Sequence, residues 1–416
     1  MPLVVKGFPI LILSAAVVGI LYFFRAYQRL GKPKKDYYFL PYNLIKEGFL
    51  NIVKGKGAML FMVVLFAVYL VSVFFSDGTE TTVQKIILKS CYVYFPLIFA
   101  LTKWDKKKLI RVLDFFIFGC CLQVVFSLID AFWASGFQFN ISEFTYVKLS
   151  YNLHPSYAAL IITIGFVFNA VRLLFIYKET KSISGNVWRI FALFGFIGYI
   201  ILLSSKAGLL SFILAFFVLV VYSVVVLKSW KLSLLATLVA SVFFVSFFFV
   251  FGGKAKQRYT ALKNSVETRQ ELSVNKSKRL RSSQIRMVLW ENSWQAIQKS
   301  SFLGYGIGNG KNALQENLRV NNEEFVLNLN HNAHNQYFET MLSVGAVGGV
   351  LLLLILLYSA FGFGSFTWIS MLLVFIVAVN LGVESMMEKQ TGSIPIVWLF
   401  CLLASAKSIF SSVFKA

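Results

Sequence analysis

Residues 330–361 read NHNAHNQYFETMLSVGAVGGVLLLLILLYSAF, a polar stretch that passes directly into an apolar run long enough to cross a bilayer. The polar part carries two of the three histidines in the chain, His331 and His334. Ionisable groups at a membrane boundary are costly, so their presence there indicates a chemical task. Residues three apart on a helix share a face, so both rings are expected to point into one cavity. This segment is the predicted reaction centre.

The composition predicts an integral membrane protein. Hydrophobic residues make up 58% and aromatic residues 17% of the 416 positions, and the mean hydropathy is +0.72. A soluble domain of this length could not bury so much apolar surface. Runs of roughly 20 apolar residues, the length that spans a bilayer, predict eleven transmembrane helices, give or take one. The runs lie near 3–24, 58–75, 86–102, 109–132, 157–177, 190–205, 207–227, 232–251, 337–361, 365–382 and 393–411.

The predicted fold is therefore all-α and polytopic, with about 11–12 transmembrane helices and one large extracytoplasmic helical loop. The first apolar run lacks a small-residue cleavage site, so we expect a retained helix instead of a removed signal. Three regions follow from the pattern. They are N-terminal transmembrane helices over 1–251, a large periplasmic loop with an amphipathic helix over 252–336, and C-terminal transmembrane helices over 337–416.

Charge in the short loops predicts which side of the membrane each loop faces. Lysine and arginine collect in the odd-numbered loops, as in 25–56 and 103–108, whereas the even-numbered loops hold single basic residues. Basic loops are cytoplasmic in most membrane proteins. The long segment 252–336 then lies on the outer side, and all three histidines lie at or near outer helix ends. With eleven helices the N-terminus is outside and the chemistry is extracytoplasmic.

The outer segment has a strongly basic first half, 254–282, and an amphipathic second half. We interpret the first half as a solvated loop, whose charges would meet the phosphates of membrane lipids and not a nucleic acid. In the second half Trp290, Trp294 and Ile297 follow the spacing of an apolar helix face. Arg286 lies one turn before Trp290 on that face, where an arginine needs an anionic partner, and a pyrophosphate fits its fork of donors. The alternative is an arginine that snorkels to the membrane surface.

Lys206 interrupts two consecutive apolar runs at the predicted outer face. A charge at this depth calls for a partner. Lys206 is either a second cation facing the same anion as Arg286 or a snorkelling lysine at a hairpin tip.

Two glycine patterns indicate backbone geometry and no reaction. Gly304-x-Gly306-x-Gly308 follows no strand, so we expect a tight turn between two outer helices instead of a dinucleotide site. Gly345 and the glycines after it, within an apolar run, most simply mark close helix packing.

Metal ligation is not expected on the outer face. The pair His331 and His334 with Glu339 at +5 does not close a ligand set on one helix face. We therefore predict no metal and no cofactor.

These elements together resemble one family. His334 and Asn335 followed by Gly345-x-x-Gly348, a preceding loop arginine and glycine turn, and Ser204-Ser205-Lys206-Ala207-Gly208 upstream are similar to the O-antigen ligase and O-antigen polymerase superfamily of bacterial envelopes. The resemblance extends from about residue 150 to the end. It implies a metal-independent glycosyltransferase that takes a glycan from undecaprenyl diphosphate at the periplasmic side of the bacterial inner membrane.

The resemblance also implies roles for single residues. His334 matches the essential histidine of the family, Arg286 its loop arginine, and Lys206 a position where ligases usually have arginine. Ligases commonly have twelve helices with both termini inside, so the count of eleven either misses one helix or marks a variant.

A mechanism can also be derived from the chemistry of the residues, independently of the resemblance. A sugar diphosphate has a good leaving group, so the protein must hold two phosphates, exclude water and activate an acceptor hydroxyl. His334 is the expected general base, and direct attack on the anomeric carbon would invert its configuration. His331 and Glu339 either orient His334 or bind acceptor hydroxyls, and Asn335 and His154 are further candidates for these two roles.

The acceptor remains open at this stage. Lipid A-core as acceptor would make the protein an O-antigen ligase, and a second lipid-linked glycan would make it a polymerase. The competing class is a polysaccharide transporter or flippase. The chain shows no internal repeat, and its polar candidates lie at the outer face instead of the midplane, which disfavours transport.

Overall fold

The computed structural model describes residues 40–55, 57–77, 79–138, 142–151, 153–180, 184–225, 282–362 and 368–414, together with three single helical positions at 238, 241 and 245. All regular structure in these ranges is helical. The α-helices are α1 (Leu40–Gly55), α2 (Gly57–Val71), α3 (Thr79–Lys89), α4 (Cys91–Leu101), α5 (Lys106–Ala134), α6 (Tyr146–Leu149), α7 (Pro155–Thr180), α8 (Val187–Leu203), α9 (Lys206–Val225), α10 (Ser282–Lys299), α11 (Gly310–Val320), α12 (Glu324–Asn328), α13 (Gln336–Ala360), α14 (Trp368–Val383) and α15 (Gln390–Phe414).

The predicted all-α, polytopic membrane architecture is confirmed. Six helices of the described residues are long and apolar enough to cross a membrane, and three shorter apolar helices accompany them. These nine coincide with nine of the eleven predicted runs. The runs 3–24 and 232–251 lie outside the continuous described ranges, as does the basic stretch 254–281.

The apolar helices form one bundle with a shared core. α13 packs along α2 and α14, while α7 packs against α5, α8 and α9. Inside the bundle, aromatic side chains such as Phe168 and Phe400 are almost fully buried. Others, such as Phe115 and Phe191, point outward and are more than 70% exposed. Large apolar side chains that point outward along long apolar helices suit contact with lipid tails, which agrees with a membrane-spanning bundle.

The glycine turn after α10 joins α10 and α11 to the bundle. Gly306 has a φ of +93°, and a Cβ there would lie 2.9 Å from the carbonyl oxygen of Phe75, so only glycine fits. The amide of Ile307 donates to Ser72 Oγ at 3.2 Å, and the amide of Gly308 donates to Ser76 Oγ at 3.0 Å. The predicted tight turn between two helices is confirmed, and its amides dock on the end of α2.

Gly345 serves a different purpose from the predicted helix packing. Its φ of +66° breaks α13, and a Cβ there would lie 2.0 Å from the carbonyl oxygen of Phe302. The amide of Tyr305 donates to the carbonyl of Leu342 at 2.9 Å, just before the break. The prediction of helix packing is therefore wrong for Gly345, because the neighbour is the backbone of the outer turn and not another membrane helix.

We expect Gly345→Ala to destabilise the protein by about 3 kcal/mol or more, because the new methyl group meets backbone that cannot move aside and the left-handed φ is strained. The measurement is the thermal unfolding midpoint of purified protein in detergent. The matched control is Gly195→Ala in α8, where a Cβ would meet no atom within 4 Å. Equal midpoints for the two variants would contradict the proposed fit.

The buried face of α10 differs from the predicted one. Leu289, Asn292, Ser293 and Ala296 are buried, whereas Trp294 is 46% exposed. The predicted apolar face of Trp290, Trp294 and Ile297 is thus wrong. The buried face contains the residues one position earlier, Leu289, Ser293 and Ala296. Amide hydrogen bonds decide the orientation.

These hydrogen bonds join α10 to α11. Asn317 Nδ2 donates to Asn292 Oδ1 at 3.1 Å and to Gln295 Oε1 at 3.1 Å. Asn321 Nδ2 donates to the same two oxygens at 2.7 and 2.8 Å. Buried amides must be paired, so the face that carries them is turned inward.

Candidate active site at one end of the bundle

The two histidines lie in a short non-helical stretch before α13. Asn335 caps that helix, since its Oδ1 accepts from the amides of Tyr337 and Phe338 at 2.9 and 3.2 Å. His334 has a φ of +45°, so the prediction of two rings on one helix face is wrong. The rings are nevertheless adjacent, with 5.0 Å between the centroids of His331 and His334 and 78° between their planes.

Glu384, after the end of α14, joins the predicted site residues. Its Oε1 lies 2.9 Å from Nδ1 of His334, and its Oε2 lies 3.2 Å from Nη2 of Arg286. The Glu384 side chain is 8% exposed, against 21% for His334 and 26% for Arg286. A buried carboxylate therefore connects a histidine and an arginine that are partly open to solvent.

This pairing assigns a chemical role to each nitrogen of the His334 ring. When Nδ1–H donates to the carboxylate, Nε2 carries the lone pair and can accept a proton. The carboxylate also stabilises the imidazolium that forms after the proton is taken up. Arg286 has five N–H donors, of which the carboxylate uses one in this structure, so the others can receive an anion.

Electrostatics keeps Glu384 ionised. Burial opposes its negative charge, but the hydrogen bond with His334 and the positive charge of Arg286 outweigh burial and hold the pKa of Glu384 below its ordinary value of 4.5. The pKa values of two neighbouring histidines are also lowered, and for a histidine a lower pKa favours the neutral form. Partial desolvation lowers the pKa of both His154 and His331 from 6.5, so both rings are mainly neutral at pH 7.

We expect Glu384→Gln to lower stability by about 1–3 kcal/mol near neutral pH, since a charge-assisted pair is lost. The folded state depresses the pKa of Glu384, so its contribution is complete above the ordinary pKa of 4.5 and disappears as pH falls through the folded value. The difference between the unfolding midpoints of the two proteins should therefore shrink as pH falls further below 4.5. The control is Glu316→Gln, which removes an exposed carboxylate paired with Arg319. A wild-type advantage that does not decrease as pH is lowered would contradict the assignment.

Backbone hydrogen bonds fix the histidine stretch. Trp290 Nε1 donates to the carbonyl of His334 at 3.3 Å, and Gln315 Nε2 donates to the carbonyl of His331 at 2.8 Å. Glu339, only 2% exposed, accepts from the amide of Ala333 at 3.1 Å. Glu339 therefore supports the loop from within and has no open face for a glycan hydroxyl.

A second polar cluster holds the turn that carries Glu384. Lys89 is 1% exposed and donates to Glu388 Oε1 at 2.6 Å and to the carbonyl of Met387 at 2.9 Å. Gln336 donates to Glu388 Oε1 at 2.9 Å and accepts from the amide of Met387 at 2.7 Å. The amide of Asn335 donates to Ser385 Oγ at 3.1 Å. The turn and the start of α13 are thus fixed together.

His154 and Lys206 lie at the same end of the bundle but outside this network. His154 precedes α7, and its Nδ1 accepts from the amide of Ser156 at 3.4 Å. Ser205 Oγ donates to Ser156 Oγ at 3.3 Å, which places Lys206 beside that helix start. The Lys206 side chain is exposed and, within the described residues, forms no ion pair with Glu384.

Glu384, Glu388 and Lys89 were not predicted as site residues from the sequence. A signal was present, because Glu384 and Glu388 occupy a short turn between two apolar runs, where carboxylates are costly. Lys89 similarly interrupts an apolar run. Their pairing could not be read from the chain, since Lys89 and Glu388 are 299 positions apart.

Comparison with known families identifies a match over part of the chain. Residues 190–353 match the family described as O-antigen ligase. The matched segment contains Lys206, Arg286 and His334 and ends before Glu384. The predicted resemblance to the O-antigen ligase and polymerase superfamily is confirmed over this stretch. No protein of curated function matches the sequence.

Proposed function

Residues 190–353 match the O-antigen ligase family, and from that premise we propose that the protein is a metal-independent, inverting glycosyltransferase. Its donor is a glycan on undecaprenyl diphosphate, and its acceptor is lipid A-core, which makes it an O-antigen ligase of the bacterial inner membrane with its active site on the periplasmic side. The alternative is a polymerase that joins lipid-linked repeats.

The hydrogen bond between His334 Nδ1 and Glu384 Oε1, at 2.9 Å, carries this proposal. It supplies an oriented base with a free Nε2 beside an arginine that has unused donors. A base next to an anion-binding cation is what a transfer from a sugar diphosphate to a hydroxyl requires. His331 lies edge-on to His334 and is a candidate for acceptor binding.

The reaction is a single displacement. The acceptor hydroxyl gives its proton to His334 Nε2 as its oxygen forms a bond to the anomeric carbon of the donor sugar. The bond between that carbon and the diphosphate oxygen breaks, and its electron pair leaves with undecaprenyl diphosphate. Attack from the face opposite the leaving group inverts the configuration. Glu384 then faces an imidazolium, whose charge it stabilises.

The leaving diphosphate gains negative charge in this step. Arg286 is the proposed cation for it, with Lys206 as the second. Within the described residues the ammonium of Lys206 takes no part in the ion pairs that join Arg286, Glu384 and His334, so the diphosphate would contact it separately. Residues 254–281, which lie outside the described ranges, contain further basic residues.

The test of the proposed function is an incubation of protein in liposomes with an undecaprenyl-diphosphate glycan and purified lipid A-core. Release of undecaprenyl diphosphate together with glycosylated lipid A-core is the expected result. Longer lipid-linked glycans without modified lipid A-core would establish the polymerase. Unchanged lipid, with glycan moved across the bilayer, would establish a transporter instead.

We expect transfer to survive a chelator. The carboxylates near the site are already paired, Glu384 with Arg286 and His334, and Glu388 with Lys89. The leaving group is neutralised by side chains, so no Mg²⁺ or Mn²⁺ is required. The measurement is the rate of product formation with excess EDTA, compared with the rate after divalent ions are restored. Activity that disappears with EDTA and returns with metal would overturn this part of the mechanism.

A further inference from the structure

A cavity of about 780 Å³ lies beside the candidate site. His154 and Glu388 are on its wall, and neither His334, Arg286 nor Lys206 lines it. His154 is close enough to His334, Glu384 and Arg286 for their charges to affect its protonation. The cavity is therefore separate from the proposed donor cations but adjoins the same reacting end.

The cavity extends from the helix ends into the membrane zone. Its mouth includes two exposed residues, Lys389 in the turn before α15 and Gln390 at the start of α15, and its less exposed wall includes Leu88 and Gln123. Gln123 lies eleven residues before the end of α5 at Ala134, a depth of about 16 Å at 1.5 Å per residue. The lining combines polar side chains such as Gln390 with apolar ones such as Leu88 and Ile161, so at this depth the groove fits an amphiphile better than a soluble sugar.

Two lysines, Lys85 and Lys389, place positive charge at the mouth of the cavity. Lys85 Nζ donates to the carbonyl of Ile307 at 3.0 Å and retains two further donors. The Lys389 side chain is exposed, and its Nζ makes no hydrogen bond or ion pair with the residues that the structure describes; only its carbonyl accepts, from the amides of Gly392 and Ser393. The one carboxylate on the wall, Glu388, is already paired with Lys89 at 2.6 Å. Both lysines are therefore available to an anion.

We propose that this cavity binds the acceptor as a phosphate-bearing lipid, with its phosphate at Lys389 and Lys85 and the start of its acyl or prenyl chain along Leu88. The assignment rests on the proposed function, because a transfer reaction needs a second substrate that approaches His334 from a side other than the donor. The volume falls within the range of about 300–1,000 Å³ that encloses a small ligand. The cavity therefore holds a head group and the first carbons of the lipid chain, while the rest of the chain remains in the bilayer.

The first test measures binding without turnover, so it does not depend on the proposed reaction. The probe is radiolabelled geranylgeranyl monophosphate, added to protein in lipid nanodiscs, with geranylgeraniol and inorganic phosphate as competitors. Lys389→Gln should weaken binding about fivefold to tenfold, and Leu88→Trp, which fills the cavity, by about tenfold or more. Neither competitor alone should displace the probe at matched concentration.

Matched controls separate the cavity from general effects. Lys148→Gln removes an exposed lysine that is paired with Glu143 outside the cavity, and Leu88→Met keeps an apolar side chain of similar volume. Both should bind the probe within about twofold of wild type. Unfolding midpoints verify that each variant is folded. Unchanged binding in folded Lys389→Gln and Leu88→Trp would overturn the proposal, and displacement by inorganic phosphate alone would reduce it to a phosphate site without lipid.

The second test distinguishes acceptor from donor. In the transfer assay Lys389→Gln should raise KM for the acceptor about fivefold and leave KM for the donor and kcat within about twofold. A rise in the donor KM instead would assign the cavity to the donor and overturn the acceptor assignment. Absence of transfer by wild-type protein would contradict the proposed function, while the binding result would still decide whether the cavity takes a lipid phosphate.

Discussion

His334→Ala is expected to lower kcat by about 10²–10⁴ while the folded protein remains in the membrane. The reason is the loss of Nε2, the proposed proton acceptor, on a ring whose Nδ1 contacts the buried carboxylate of Glu384. The measurement is kcat in the liposome assay at equal amounts of inserted protein. Because His334 is partly open and its carbonyl, not its ring, receives Trp290, the fold should tolerate the change.

A second variant tests whether transfer needs the basicity of the His334 ring or only its hydrogen bond to Glu384. His334→Gln keeps a group that can donate to Glu384 but provides no base, so it should be as inactive as His334→Ala. Its unfolding midpoint should be nearer to wild type. Turnover at the wild-type rate by His334→Ala would remove His334 from the mechanism, and recovery by His334→Gln alone would make the ring a positioning group.

Arg286→Ala is expected to lower kcat/KM by about 10²–10³, since a preorganised cation no longer faces the leaving diphosphate. Arg286→Lys should recover only part of this, because a single ammonium cannot reproduce the two-pronged contact. At the second proposed cation, Lys206→Arg should retain more activity than Lys206→Ala, since the charge persists. The measurement is kcat/KM for the donor with the acceptor saturating.

Arg286 also pairs with Glu384, so its loss could act through His334. Comparison of Arg286→Ala, Glu384→Gln and the double variant separates the two effects. A double variant no worse than either single one would indicate one shared role in orienting His334. Normal donor use by both alanine variants, at Arg286 and at Lys206, would place the diphosphate elsewhere, with Arg279 and Arg281 as the next candidates.

Helix positions were predictable from the sequence because the bilayer imposes a length on each apolar run. Nine runs match helices of the described residues to within a few positions. The adjacency of His331 and His334 was also predictable, but the backbone conformation that produces it was not. An asparagine cap and a left-handed residue bring the rings together where a continuous helix was expected. Local hydrogen bonding overrode the simple helical reading.

Contacts between distant segments were not predictable. Glu384 lies 50 residues from His334 and 98 from Arg286, and nothing in the local pattern selects it over Glu388 one turn later. The rotation of α10 was missed for a related reason. Two tryptophans suggested an apolar face, but Asn292 has amide partners on α11 and therefore faces inward.

The buried pair of Lys89 and Glu388 has a consequence for biosynthesis. Lys89 lies inside an apolar span, and its partner is made 299 residues later. At about 5–20 residues per second, roughly 15–60 s separate the synthesis of the two. During that interval the span of Lys89 carries an uncompensated charge in the bilayer. Ribosomes that stall before residue 388 should therefore leave a nascent chain that membrane proteases recognise, and the last helices would decide whether the first ones survive.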